Sequence, residues 1–236
     1  MKFAIIAAGE GSRLASEGIF APKPLVEIHG EKLIDRLIRI FLDNDASEIV
    51  IICNNLTTLV EEHLKDIQEH GLKGRPVPLR FVVKSTPSSM HSFHVLSPWL
   101  KDEPFVLTTV DTIFREEEFH RYVQAFRQAN HLDGLMGVTD FIDDEKPLHV
   151  GVDADGNITG FFDQSDAPHY ISGGIYGLTP PCIPVLDECM KRGESRMRNF
   201  QRALVSSGLH LKAFPFGKVL DIDHARDIQT AEMFLK

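Results

Sequence analysis

The sequence predicts an α/β fold, three layers deep, with helices on both faces of a mostly parallel central sheet. Two observations predict it. The first is a set of short segments of strand length, led by the continuous apolar run Phe3 to Ala8, which reads as a strand covered on both faces. The second is their alternation with segments whose apolar residues recur at helical spacing. The order strand, helix, strand, helix, strand implies parallel pairing through right-handed crossovers.

Taken in order, Phe3 to Ala8 is the first strand. Residues 31–44 carry Leu33, Leu37, Ile40 and Phe41 on one helical face, an amphipathic helix packed on a sheet. Glu48 to Cys53 is the second strand. A helix from about Thr57 to His70 follows, capped by Thr57 or Thr58, with Glu61 and Glu62 in its first turn. Residues 71–78 form a loop, and Leu79 to Val83 a third strand. A helix opens near Ser88 and runs to about Leu100. Pro104 to Asp111 is the fourth strand, and a helix spans about 115–130. Asp133 to Asp140 is a fifth strand, and Pro147 to Phe162 a hairpin. Its turn, Asp153 to Asn157, imitates a calcium loop but has Gln164 where the twelfth-position glutamate belongs. Tyr170 to Leu178 is a strand with interior glycines, which mark a bulge or a close approach. Helices are expected from Pro180 to Lys191 and over about 195–207, a strand from Leu209 to Phe216, and a last helix from His224 to Leu235.

Bulk properties narrow the function. Hydrophobic content of 43% supports a core, and charged content of 25% suits a soluble globule. A net charge of −9 argues against nucleic acid as a main partner. Cys53, Cys182 and Cys189 are too few and too scattered for a disulfide framework or a zinc cluster. No apolar run reaches the ~18 residues of a membrane span, and no signal peptide is visible, so the expected location is cytoplasmic.

The chemistry concentrates at the N-terminus. The first strand ends in Ala7-Ala8-Gly9-Glu10-Gly11-Ser12-Arg13-Leu14, and Pro22-Lys23-Pro24-Leu25 follows a spacer. Glycines let backbone amides approach an anion, and Arg13 and Lys23 add fixed positive charge. A glycine-rich turn with a surface arginine is the plain alternative. A Walker-type loop is excluded because Gly-Lys-Ser/Thr is missing. A dinucleotide fingerprint is excluded because Leu14 stands where its third small residue belongs and Cys53-Asn54-Asn55 where its acid belongs.

These two motifs resemble, position by position, the signature of the nucleotidyltransferase family that includes sugar-1-phosphate nucleotidylyltransferases and phosphocholine cytidylyltransferases. The resemblance covers nearly the whole chain. It implies a Rossmann-like, GT-A-like nucleotidyltransferase fold in a single domain, with a nucleotide-binding part over about 1–115 and an acceptor-binding part over about 116–236.

It also implies site residues. Ala7, Ala8, Gly9, Glu10, Gly11, Ser12 and Arg13 would cradle the triphosphate, with Lys23 on the α-phosphate. Arg13 and Lys23 would be the catalytic cations. Ser88 and Ser89 would face the base, in a segment that departs from the usual Gly-Thr-Ala run; helix capping explains them equally. Gly173 and Gly174 would contact the acceptor. Asp111, Asp223 and Asp221 would hold Mg²⁺, with Asp223 favoured over Asp221; a helix cap is the alternative for Asp111 and for Asp223. Arg196 and Arg198 read as solvated surface.

The implied activity joins a nucleoside triphosphate to a sugar-1-phosphate or similar phosphorylated acceptor and releases pyrophosphate. One alternative is cytidylyl transfer to a phospho-alcohol such as phosphocholine. Others are a GT-A-type glycosyltransferase and a non-catalytic nucleotide-binding regulator. The spacer Ala15 to Ala21 lacks the Pro-Leu-Thr run common in sugar nucleotidylyltransferases. The base, the acceptor and the oligomeric state stay open.

Overall fold

A computed structural model describes residues 1–141, 146–164 and 170–236. In chain order it contains β1 (Lys2–Ala7), α1 (Ser12–Ser16), β2 (Glu27–Ile28), β3 (Glu31–Lys32), α2 (Leu33–Asp43), β4 (Ile49–Cys53), α3 (Leu59–His70), β5 (Leu79–Val83) and α4 (Ser89–Leu96). There follow β6 (Phe105–Thr109), β7 (Thr112–Ile113), α5 (Glu116–Gln128), β8 (Gly134–Thr139), β9 (His149–Val152), β10 (Ile158–Phe162) and β11 (Tyr170–Leu178). The chain closes with α6 (Cys182–Lys191), α7 (Met197–Ser206), β12 (Leu211–Phe216), β13 (Leu220–Asp221) and α8 (Ala225–Phe234).

The strands of the main sheet lie in the order β12, β8, β11, β6, β1, β4, β5, with the β9–β10 hairpin joined to the start of β11. Parallel pairs link β5, β4, β1 and β6, and β12 with β8. β11 runs antiparallel to both β6 and β8, so the mostly parallel sheet carries one reversed strand at its centre. Successive side chains of β1 serve opposite layers. Phe3, Ile5 and Ala7 join α2, α3 and α5, while Ala4, Ile6 and Ala8 join α4, α6 and α7. Both faces are buried, which is why the run is continuously apolar.

Aromatic rings fix the first layer. Phe3 stacks on Phe41 at 4.6 Å and Phe119 on Phe114 at 4.6 Å, tying β1, α2 and α5 together. On the other face Phe93 meets Phe200 edge-on at 5.4 Å, joining α4 to α7.

Most expected elements appear within a residue or two. The fourth strand is shorter than its pattern and stops at Thr109, leaving Asp111 in the turn beyond it. α4 ends at Leu96, and the chain passes into a 3₁₀ turn, Ser97–Trp99. Pro98 explains the stop, since it lacks the amide that would continue the helix, and Ser97 Oγ donates to His94 O at 2.8 Å instead. The Asp153 turn closes on itself: Oδ1 accepts the amides of Asp155 and Asn157 at 2.9 and 2.8 Å. Among the described residues no helix is long and apolar enough to cross a membrane.

Candidate active site

After β1 the chain builds outward to β4 and β5, then returns to place β6 on β1's other side. Such a reversal opens a crevice beyond the carboxyl ends of the two strands. The Ala7–Gly11 loop leaves β1 there, and Asp111 follows β6 there. A cleft of about 370 Å³ occupies the place.

Gly11 takes φ +65°, a left-handed conformation that suits glycine and lets α1 begin at Ser12. The loop is pinned from β4: Asn54 Nδ2 donates to Gly9 O at 2.9 Å. Lys23 sits in a 3₁₀ turn between Pro22 and Pro24, whose rings fix the backbone. Its side chain is only 10% exposed, so the ammonium is aimed into the cleft rather than at solvent.

A small ladder brings the acids together. β13 pairs with β7, with Asp221 opposite Thr112, and the Ile222 amide donates to Asp111 O at 3.1 Å. Asp223 therefore emerges beside Asp111. Lys23 Nζ bonds Asp111 Oδ2 and lies 2.9 Å from Asp223 Oδ1. Arg13 Nη1 crosses the cleft mouth to Asp223 Oδ2 at 2.7 Å. Burial disfavours the lysine's charge, yet Asp111 and Asp223 outweigh it and hold Lys23 above the ordinary lysine range. Burial also opposes ionisation of Asp223, and Lys23 with Arg13 reverses that, holding the carboxyl below the usual range.

Ala7, Ala8, Gly9, Glu10, Gly11, Ser12, Arg13, Lys23, Ser88, Ser89, Asp111 and Asp223 all line this one cleft. Neither acid caps a helix: α5 is preceded by Arg115, and α8 by His224, whose capping box uses Asp227. Ser88 lines the cleft and also caps α4, its Oγ accepting the His91 amide at 3.5 Å.

Three expected residues lie outside the cleft lining. Asp221 lies one rung up the ladder, outside the cleft lining. Its charge instead adds to the rise of Tyr176, which burial mainly pushes up to about 12. Gly173 is buried, and a Cβ there would meet Gly137 O at 3.2 Å, so it permits a close approach to β8. Gly174 takes φ +71° in a bulge between β11 and β8, outside the cleft lining, and its carbonyl accepts from Thr108 Oγ1 at 3.0 Å. The reversed strand accounts for the conformation of both glycines. Arg198 is held on Asp163 at 2.7 Å, and Arg196 is exposed.

Sequence reasoning missed Asn54, Thr86 and Ser92. Thr86 Oγ1 and Ser92 Oγ pair at 2.6 Å in the cleft wall. A polar residue at the end of a buried strand was the available signal for Asn54.

A crevice at the switch point of a mostly parallel sheet, walled by a glycine loop and holding two cations against two carboxylates, defines a nucleotidyltransferase. The chain matches the MobA-like NTP transferase domain over residues 3–206 and belongs to that family. It is 25% identical over 244 aligned positions to a UTP–glucose-1-phosphate uridylyltransferase, AglF, of Haloferax volcanii, covering 100% of this chain and 97% of that one. It is 29% identical over 82 residues to a glucose-1-phosphate cytidylyltransferase of Salmonella typhimurium, a match spanning 32% of each.

Among solved structures, a glucose-1-phosphate thymidylyltransferase described from Bacillus anthracis superposes with a TM-score of 0.84 at 20% identity, over 99% of this chain and 94% of that one. The inositol-1-phosphate CTP transferase of T. maritima gives 0.75 at 20% identity, over 100% and 97%. At these identities the likeness is one of fold, and the fold is the GT-A-like nucleotidyltransferase fold expected from the sequence.

Proposed function

We propose that the protein transfers a nucleotidyl group from a nucleoside triphosphate to the phosphate of a sugar-1-phosphate, releasing pyrophosphate and forming an NDP-sugar. The observation that carries this reading is Lys23, buried and charged between Asp111 and Asp223 and facing the Gly9–Arg13 loop across one cleft. An acceptor phosphate oxygen bonds to the α-phosphorus as the bond to the pyrophosphate oxygen breaks. The attacking phosphate is anionic at neutral pH, so catalysis reduces to alignment and charge neutralisation. On this reading Lys23 would meet the α-phosphate, and Arg13, at the mouth, the β- and γ-phosphates.

The donor set suits Mg²⁺. Two carboxylates already converge on one cation, and Mg²⁺ takes one or two carboxylates together with substrate phosphates. Asp111 and Asp223 would hold it, and it would supply charge stabilisation at the transferring phosphoryl group.

The full-length likeness to a uridylyltransferase of glucose-1-phosphate supports a sugar-1-phosphate acceptor. A phospho-alcohol acceptor is the second reading, favoured by the cleft-lining Ser88-Ser89 pair and by the fold shared with an inositol-1-phosphate CTP transferase. The test is pyrophosphate release with each of CTP, UTP, dTTP, ATP and GTP against sugar-1-phosphates and phospho-alcohols. Release that needs one triphosphate and one acceptor together supports the reading. Release with no pair overturns it in favour of glycosyl transfer or nucleotide binding alone.

A further inference from the structure

Glu17 ties the two sides of the cleft mouth together from behind. Its amide donates to Arg13 O at 3.2 Å and to Leu14 O at 3.1 Å, ending α1 one turn after Arg13. Its carboxylate then crosses to α8. Oε1 lies 2.6 Å from His224 Nδ1, and Oε2 accepts the Ala225 amide at 2.7 Å. Asp223 is the residue immediately before His224. From the helix side, Asp227 Oδ2 accepts the amides of Asp223 at 3.0 Å and of His224 at 2.7 Å. The connections close a ring: Arg13 to Glu17 through α1, Glu17 to His224 by hydrogen bond, His224 to Asp223 by the peptide bond, and Asp223 back to Arg13 at 2.7 Å. Glu17 itself does not line the cleft. It stands in the spacer 15–21 between the two motifs that line the cleft.

We propose that Glu17 is a positioning residue whose carboxylate, clamped on His224 and Ala225, sets the separation of Arg13 and Asp223. It acts through those two side chains and touches no substrate. The clamp fixes the gap that the triphosphate and its metal must fit. The proposal rests on the nucleotidyl-transfer reading above, since the gap matters only if phosphates fill it.

The test compares Glu17→Ala and Glu17→Gln with the wild type in turnover, Mg²⁺ dependence, thermal unfolding and amide hydrogen exchange. Glu17→Ala is expected to lower kcat about tenfold and to raise the Mg²⁺ concentration for half-maximal rate severalfold, while KM for the acceptor holds. Glu17→Gln keeps an oxygen for the Ala225 amide and recovers most of both. A lower melting temperature with wild-type kcat and Mg²⁺ dependence overturns the proposal and leaves Glu17 a helix cap. If the wild type itself releases no pyrophosphate with any pair, the functional reading fails, and exchange in the ligand-free protein then decides the clamp. Faster exchange of Glu17→Ala in both 12–16 and 223–227 supports it, and exchange unchanged at 12–16 overturns it.

Discussion

Lys23 Nζ lies 2.9 Å from Asp223 Oδ1, although the two residues are 200 positions apart, and the same ammonium contacts Asp111. The lysine therefore occupies the point where the two carboxylates converge. An internal cation offsets the acids' mutual repulsion, and Arg13 adds a second from the rim.

Lys23→Ala removes that cation. Turnover is expected to fall by about 10²–10³-fold at saturating substrate, the cost of losing one preorganised donor to developing charge. A second effect separates this site from a generic lysine. Without Lys23 the two carboxylates face each other, and added Mg²⁺ should bind between them and stabilise the fold. Thermal melts with and without MgCl₂ check it: the variant's midpoint should rise more than the wild type's. Equal shifts would remove the metal seat from this pair of acids.

Asn54→Ala frees the glycine loop from β4. One hydrogen bond to Gly9 O is lost, worth about 1 kcal/mol. Triphosphate affinity should weaken about fivefold, and the melting temperature should fall by about 2–4 °C. Nucleotide titration reads this directly. Unchanged affinity would mean that the loop holds its shape unaided.

The strands that carry the site were legible because burial on both faces leaves a continuous apolar run, as in Phe3 to Ala8. The cleft's cations and acids were legible because Arg13, Lys23, Asp111 and Asp223 sit at strand ends and within a two-part motif. What was hidden depends on pairing across distance. Nothing local marks Thr112–Ile113 and Leu220–Asp221 as a two-stranded ladder, yet that ladder puts Asp223 beside Asp111. The reversal of β11 was hidden for the same reason. Its glycines serve a strand-to-strand approach and a bulge, which no local pattern marks.

A structural role for the two glycines is testable. Gly174→Ala forces a Cβ onto a residue at φ +71° and should cost about 1–3 kcal/mol of stability. Gly173→Ala drives a Cβ toward Gly137 O, where a backbone carbonyl cannot yield cheaply. Both variants should melt lower while the acceptor KM of the folded protein stays unchanged. A raised acceptor KM at unchanged melting temperature would restore the ligand-contact role.

Arg39 provides a prediction away from the cleft. Its guanidinium is bidentate to Glu31 at 2.9 and 2.8 Å and to Glu116 at 2.9 and 2.9 Å, joining β3, α2 and α5. The hydrogen bonds from Arg39 are the main reason both glutamates are held below their ordinary value of 4.5. A carboxyl whose folded value is depressed binds its proton less readily folded than unfolded. Its contribution is present above pH 4.5 and is lost as pH falls through the depressed range. Both carboxylates are partly solvated, so the stabilisation is modest, about 1 kcal/mol, or 2–4 °C in a domain of this size. Arg39→Met should therefore melt a few degrees below wild type at pH 7. The gap should narrow as the pH is lowered below 4.5, because the wild type loses what the variant never had. Paired melts across that range check the sign, and a gap that stays constant into acid would assign the effect of Arg39 to packing of its stem rather than to charge.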